Sequence, residues 1–221
     1  MEQPVKPGPG RRDRKARATR RRVLEAAETL FVRPGYTATR IAAIADAADV
    51  AVQTVYAVFG TKRAVLSQLL ELRTVGDDES TPLRDRANWQ AMEHETDPYR
   101  QVALLAAIAT GIGQRIAVLS EVIAAAAGSD PEIAAMYQRR QQARYQDQHR
   151  VAHALLHAGA LRVGLSEAKA TDIMWTLANP HTYHTLVGER GWATVEYERW
   201  LARMLAAALL TESGSSTGAR S

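Results

Sequence analysis

Apolar positions recur along most of this chain with a helical period, and the periodic stretches are separated by Pro, Gly and acidic turns. From about Arg14 to Val32 the stripe is Val23, Ala27, Leu30 and Phe31, and Pro34-Gly35 ends it. Between Thr39 and Leu66 the pattern tightens. Ile41, Ile44 and Ala45 share one face of a short helix, and Val50, Val55 and Phe59 repeat that register beyond a turn. Small apolar inner faces let two helices pack closely at a steep angle. The outer face of the second carries Val52, Gln53 and Thr54, with Tyr56 one turn on. Short polar and apolar tips on an exposed helix face suit the major groove. The spacing therefore predicts a helix-turn-helix, whose second helix is read against base edges.

Thr61 is a natural N-cap for a helix from Lys62 to about Arg73, and the acidic, turn-rich stretch Gly76 to Pro82 marks a domain boundary. The remainder predicts four long helices. The first, Pro98 to about Ala127, is alanine-rich and contains Gly111 and Gly113. Each interior glycine costs about 1 kcal/mol against alanine, so close helix contact or room for a ligand is expected there. Asp130-Pro131 opens a helix to about Ala158 that is polar from Gln138 to Arg150. Ser166 caps the next, which breaks at Asn179-Pro180 and resumes to Val187. Thr194 caps the last, with Tyr197, Leu201, Met204, Leu205 and Ala208 in one stripe. The fold class is all-α: an N-terminal three-helix head with a connecting helix (14–75) and a larger helical domain (76–211). Residues 1–13 read as a disordered basic arm and 212–221 as a flexible tail.

Four motifs in the head carry a resemblance: G-Y-x-x-T at Gly35 to Thr39, I-A-x-x-A at Ile44 to Ala48, T-V-Y-x-x-F at Thr54 to Phe59, and T-K-R-A-V-L at Thr61 to Leu66. Their order and spacing, over roughly residues 17 to 70, resemble the TetR family of bacterial transcriptional regulators. The larger domain resembles that family only in plan. The resemblance implies that Tyr56 and Lys62 contact backbone phosphates and that the last two long helices of each subunit pair across a two-fold axis. The chain departs from the family at three positions. Asp49 stands where the turn usually has Gly, a position that needs positive φ, which Asp tolerates better than most residues. Ala51 replaces a capping Ser, at a cost of about 1 kcal/mol. Arg40 replaces a Thr, trading a hydroxyl contact to phosphate for a charged one.

Charge distribution strengthens this picture. The net charge is +4. Residues 1–75 hold 14 Lys/Arg against 7 Asp/Glu, whereas residues 76–221 hold 14 against 17, so the positive charge lies with the head. Arg11 to Arg22 has eight basic residues in twelve, placed where an arm could track phosphates or enter the minor groove. No run of 18 uninterrupted apolar residues occurs, so no membrane partner is expected. The lack of cysteine fits a reducing cytoplasm. His149, His153 and His157 lie at i, i+4, i+8 on one helix, a spacing that can bind zinc, but no carboxylate obviously converges on them, and a solvated or packed face is expected. His181 and His184 could line a cavity or a dimer seam. No nucleophile–base pair, phosphate loop or paired carboxylates stand out. No enzyme activity, cofactor or metal is expected.

The expected function is a homodimeric, sequence-specific DNA-binding regulator, released from a palindromic operator by a small-molecule effector. The alternatives are a helical enzyme, or a ligand-independent DNA-binding protein, with the same head. Val52, Gln53 and Thr54 are the expected base readers, because Gln suits adenine while Val and the Thr methyl suit the thymine methyl. Thr39, Arg40, Tyr56 and Lys62 are the expected phosphate contacts. Gly111, Gly113, Tyr137 and Trp175 are the expected pocket, and Leu201, Met204 and Leu205 the expected dimer surface.

Overall fold

The computed structural model describes residues 11–76 and 81–211. The segment 1–10, most of the acidic boundary (77–80) and the tail 212–221 lie outside the described residues, so the disorder expected of the two termini is not addressed. Among the described residues ten α-helices follow in order: α1 Arg11–Val32, α2 Ile41–Ala47, α3 Val52–Phe59, α4 Lys62–Val75, α5 Ala87–His94, α6 Pro98–Ala127, α7 Pro131–His157, α8 Glu167–Leu177, α9 Pro180–Tyr183 and α10 Thr194–Leu209. Two compact units divide between Glu71 and Leu72, inside α4 rather than at Gly76.

In the head, α1 buries Val23, Leu24, Ala27 and Phe31; of the stripe expected from periodicity Leu30 is only half-buried, and Leu24 takes a core place instead. The helix starts at Arg11, so the residues 11–13 assigned to an arm are helical. The axes of α2 and α3 turn through 109°, within the range of a helix-turn-helix. Ile44, Ala45, Val55 and Phe59 fill the angle between them. The turn depends on Asp49, whose φ is +52°, as its place in the motif required. Ala51 precedes α3 without a side-chain cap. Thr61 caps α4, its hydroxyl accepting from Ala64 N–H at 3.0 Å. Val65, Leu66, Leu69 and Leu70 face the interior.

The body is built around α6, which packs against α5, α7, α9 and α10. By length and hydropathy α6 could cross a bilayer, a property that counting uninterrupted apolar runs did not detect; half of its most apolar window is buried inside the body. Three of the longer helices of the body start at a side-chain cap, at Asp130 and Ser166 as the sequence indicated and at Asp97 in addition. Asp97 accepts from Tyr99 N–H, Asp130 from Glu132 N–H, and Ser166 from Lys169 N–H. Thr194 is an exception. Ala193 occupies the cap position, and the Thr194 hydroxyl instead pairs with the Tyr183 hydroxyl at 3.1 Å. Between α9 and α10 the chain makes a π-helical turn, His184–Glu189. Helix α5, which buries Trp89 and Met92, lies between the acidic boundary and α6, where no helix was expected. The end of α10 is tied back to the body, with Arg162 donating to Leu209 O and Ala207 O and Tyr99 to Thr211 O.

The dimer surface read from α10 is corrected in part. Leu201 and Leu205 are fully buried in the body's own core. Their stripe faces α6 and α8, so neither side chain is available to a second subunit. Met204 is 37% exposed.

Candidate nucleic-acid interface

On α3 the residues that look inward are Val55 and Phe59, and this sets what looks outward. Gln53 is exposed and Tyr56 is 53% exposed, while Val52 and Thr54 are half-buried. The expected base readers therefore differ in reach: Gln53 projects furthest, and Val52 and Thr54 flank it. Arg40 is exposed at the start of α2. Arg14, Lys15, Arg17, Arg20, Arg21 and Arg22 are exposed along α1, so most of the basic run is a helical face rather than a free arm.

Thr39 and Lys62, two of the expected phosphate contacts, are engaged within the head itself. Thr39 is only 3% exposed. Its hydroxyl lies 2.9 Å from Leu30 O and 2.8 Å from Gly35 O and shares its proton between them, closing the C-terminus of α1. The Lys62 ammonium donates to Tyr36 O and Thr39 O, both at 2.9 Å, and sits 4.2 Å from the Tyr36 ring centroid. Tyr36 in turn packs on Phe31, with ring centroids 5.3 Å apart. Lys62 thus staples the α1–α2 connection to the start of α4. The sequence offered no signal for this, because the staple spans 26 positions.

The expected effector pocket is also redrawn. A Cβ on Gly113 would lie 2.8 Å from Tyr183 Cγ, so this glycine is a close contact between α6 and α9 and leaves no space. Gly111, on another face, lines a cleft of about 640 Å³ in the body together with residues of α4, α5 and α6. Tyr137 and Trp175 do not line that cleft. They belong to a polar chain inside α7 and α8: Gln141 donates to the Tyr137 hydroxyl, and Arg144 donates to Gln141 Oε1 and Trp175 O. The Arg144 guanidinium lies 4.6 Å from the Trp175 ring centroid. Burial lowers its pKa to about 10.

The histidine row is corrected as well, because a carboxylate does converge on it. His149 Nε2 and His153 Nδ1 lie 3.2 and 3.1 Å from Glu167 Oε1 across the α7–α8 contact, and His157 packs edge-on to His153. Among the described residues no such cluster has the geometry to hold a metal ion. His181 pairs with Glu121 at 2.8 Å.

Comparison with known proteins agrees with the head. Residues 23–69 match the family model for bacterial regulatory proteins, tetR family. No curated protein sequence matches the chain. Among solved structures, the chain is similar to NalD, the secondary repressor of the MexAB-OprM multidrug efflux pump in Pseudomonas aeruginosa. That match has a TM-score of 0.67 and 19% identity, over 90% of this chain and 100% of that one. FadR, a transcriptional regulator from Bacillus subtilis solved with stearoyl-CoA, also has a TM-score of 0.67, with 17% identity over 85% of this chain and 97% of that one. A regulator from Saccharomonospora viridis solved with choline has a TM-score of 0.66, with 18% identity over 87% and 97%. At these identities the likeness shows the fold.

Proposed function

We propose that this chain, whose residues 23–69 match the TetR-family model, is a cytoplasmic DNA-binding transcriptional regulator, acting as a homodimer released from its operator by a small molecule. The observation that carries the reading is the exposed outer face of α3, with Gln53 and Tyr56, held at 109° to α2. Gln53 reads a base edge, with Val52 and Thr54 beside it. Arg40, Tyr56 and the basic face of α1 engage phosphates. Thr39 and Lys62 support this arrangement from inside the head. A single head covers too few base pairs for useful specificity, which favours a dimer. With Leu201 and Leu205 interior, its contact falls on the outer face of the last helices, where Val195 and Met204 are exposed. The cleft of about 640 Å³ is of effector size. The stearoyl-CoA and choline complexes of proteins with the same plan support an effector-holding body.

Selection of bound fragments from random DNA tests the reading. The expected product is a palindrome with half-sites about one helical turn, or a multiple of it, apart. Gln53→Ala should relax preference at one base position per half-site. An unchanged selected sequence would place the reading face elsewhere.

A further inference from the structure

We propose that the α7–α8 contact holds an anion site, in which Arg144 Nη2 and the Trp175 indole N–H take the carboxylate of a small organic acid. Neither residue lines the cleft beside Gly111, so the site is separate from it. It does not depend on the DNA-binding reading.

The inward face of α7 changes character along its length. Ile133 and Met136 near one end, and Val151, Ala152 and Leu155 near the other, are apolar core positions. Between them Tyr137, Gln141, Arg144 and Gln148 recur at i, i+4, i+7 and i+11, which keeps them on one face. Polar side chains turned into a helical body need partners. Gln141 donates to the Tyr137 hydroxyl at 2.9 Å, and Arg144 Nε donates to Gln141 Oε1 at 3.3 Å. Arg144 Nη1 donates to Trp175 O at 2.8 Å, in the last turn of α8, where carbonyls lack intrahelical donors. Two of the three guanidinium nitrogens are thus engaged.

The third nitrogen, Arg144 Nη2, is buried and has no partner among the described residues, and the same holds for Trp175 Nε1 and Gln148 Oε1. The first two are donors on stacked groups, with the guanidinium 4.6 Å from the indole ring centroid. Gln148 is 6% exposed, and turning its amide over presents a further N–H. Among the described residues no carboxylate pairs with Arg144. Burial lowers its pKa to about 10, and only Tyr137 acts against that. An unpaired cation and an unbonded N–H are each costly to bury. A carboxylate meets both needs at once, through charge-assisted bonds to Nη2 and the indole N–H. A neutral acceptor bonds the N–H groups and leaves the charge. A dianion brings a second charge for which the site has no second cation, since Arg140, one turn earlier on α7, donates to the Thr74 hydroxyl. Tyr137, Gln141, Arg144 and Trp175 are each half-buried, so the site is reached from the surface of the body. With Nη1 already on Trp175 O, an anion on Nη2 fastens α7 to the end of α8, just before the break at Asn179-Pro180.

The test uses the full-length protein, isotopically labelled at its indole nitrogens, and two probe pairs: sodium acetate against acetamide and sodium benzoate against benzamide. Sodium chloride matches the ionic strength throughout. Heteronuclear NMR reads the four indole N–H signals, with that of Trp175 assigned by its loss in Trp175→Phe, and scanning calorimetry reads the thermal midpoint of the body. At least one carboxylate should move the Trp175 signal downfield and raise the midpoint by a few degrees, while its amide does neither. Arg144→Met, whatever its own midpoint, should not respond to that carboxylate. Trp175→Phe, which keeps an aromatic face and loses the N–H, should bind it several-fold more weakly. If Arg144→Met does not fold by circular dichroism, Trp175→Phe and the wild-type signals decide. A Trp175 signal that ignores both carboxylates, an equal response to each carboxylate and its amide, or an undiminished response in folded Arg144→Met would each overturn the site. A larger response to sodium phosphate than to either carboxylate would overturn the assignment of a carboxylate.

Discussion

Gly111 and Gly113 lie two residues apart in the middle of α6, and alanine at each should move stability in opposite directions. At Gly113 the new Cβ would stand 2.8 Å from Tyr183 Cγ and 3.0 Å from both Cβ and Cδ2. Tyr183 cannot yield cheaply. It is buried, its hydroxyl pairs with Thr194, and its ring meets Tyr197 edge-on at 5.0 Å. Overpacking of this kind costs about 1–3 kcal/mol, set against the gain of about 1 kcal/mol from replacing an interior helical glycine. Gly113→Ala should therefore destabilise by about 1 kcal/mol. At Gly111 the nearest atom to the new Cβ is Arg115 Nη1 at 3.5 Å, an ordinary contact. The propensity gain then dominates, and Gly111→Ala should stabilise by about 0.5–1 kcal/mol. At about 2–4 °C per kcal/mol for a domain of this size, the two midpoints should separate by about 3–8 °C in scanning calorimetry of the body transition. In a Tyr183→Leu background the penalty at Gly113 should shrink, which a double-mutant cycle measures. Equal shifts of the same sign for the two alanine variants would refute the assignment of Gly113 as a helix contact and of Gly111 as a cleft residue.

Lys62→Ala should destabilise the head by about 1–2 kcal/mol, because Tyr36 O and Thr39 O lose a charged donor. It should weaken DNA binding without changing the salt dependence; a log–log slope flatter by about 0.9 would instead make Lys62 a phosphate contact. Leu201→Asp should unfold the body rather than yield folded monomers, since the side chain is fully buried in the subunit core, and a folded monomer in sedimentation would contradict this. Arg144→Met should raise the thermal midpoint at neutral pH. Burial holds the guanidinium pKa down at about 10, well below the ordinary arginine value, so the charged form present at neutral pH costs stability, on the order of a few kcal/mol. Loss of the bond to Trp175 O and of the indole stack offsets part of that, on the order of 1–2 kcal/mol. By the same linkage, wild-type stability should rise as the pH climbs above about 10, where the unfolded chain still binds the proton that the folded chain loses. A lower midpoint for Arg144→Met would show that the stack and hydrogen bonds outweigh the burial cost.

Short-range features of this protein were legible from the residues alone. Helix starts at Asp130 and Ser166 are set by a side chain reaching an amide two or three positions away. The positive φ of Asp49 follows from the turn it occupies, and the apolar register of α2 and α3 turns the α3 face that carries Gln53 and Tyr56 outward. The π-helical turn and α5 were not visible, the first because it departs from the usual backbone period and the second because its period is short and weak. The long-range assignments needed the tertiary structure. A stripe such as Leu201 and Leu205 states that a face must be covered, and only packing decides whether the subunit's own α6 or a second chain covers it. A glycine states that space is needed, and only the neighbour distinguishes Tyr183 beside Gly113 from the cleft beside Gly111. Lys62 and Arg115 have side chains long enough to reach several groups. Which carbonyls they serve, 26 and 42 positions away for Tyr36 and Arg73, is decided by where the fold brings those carbonyls.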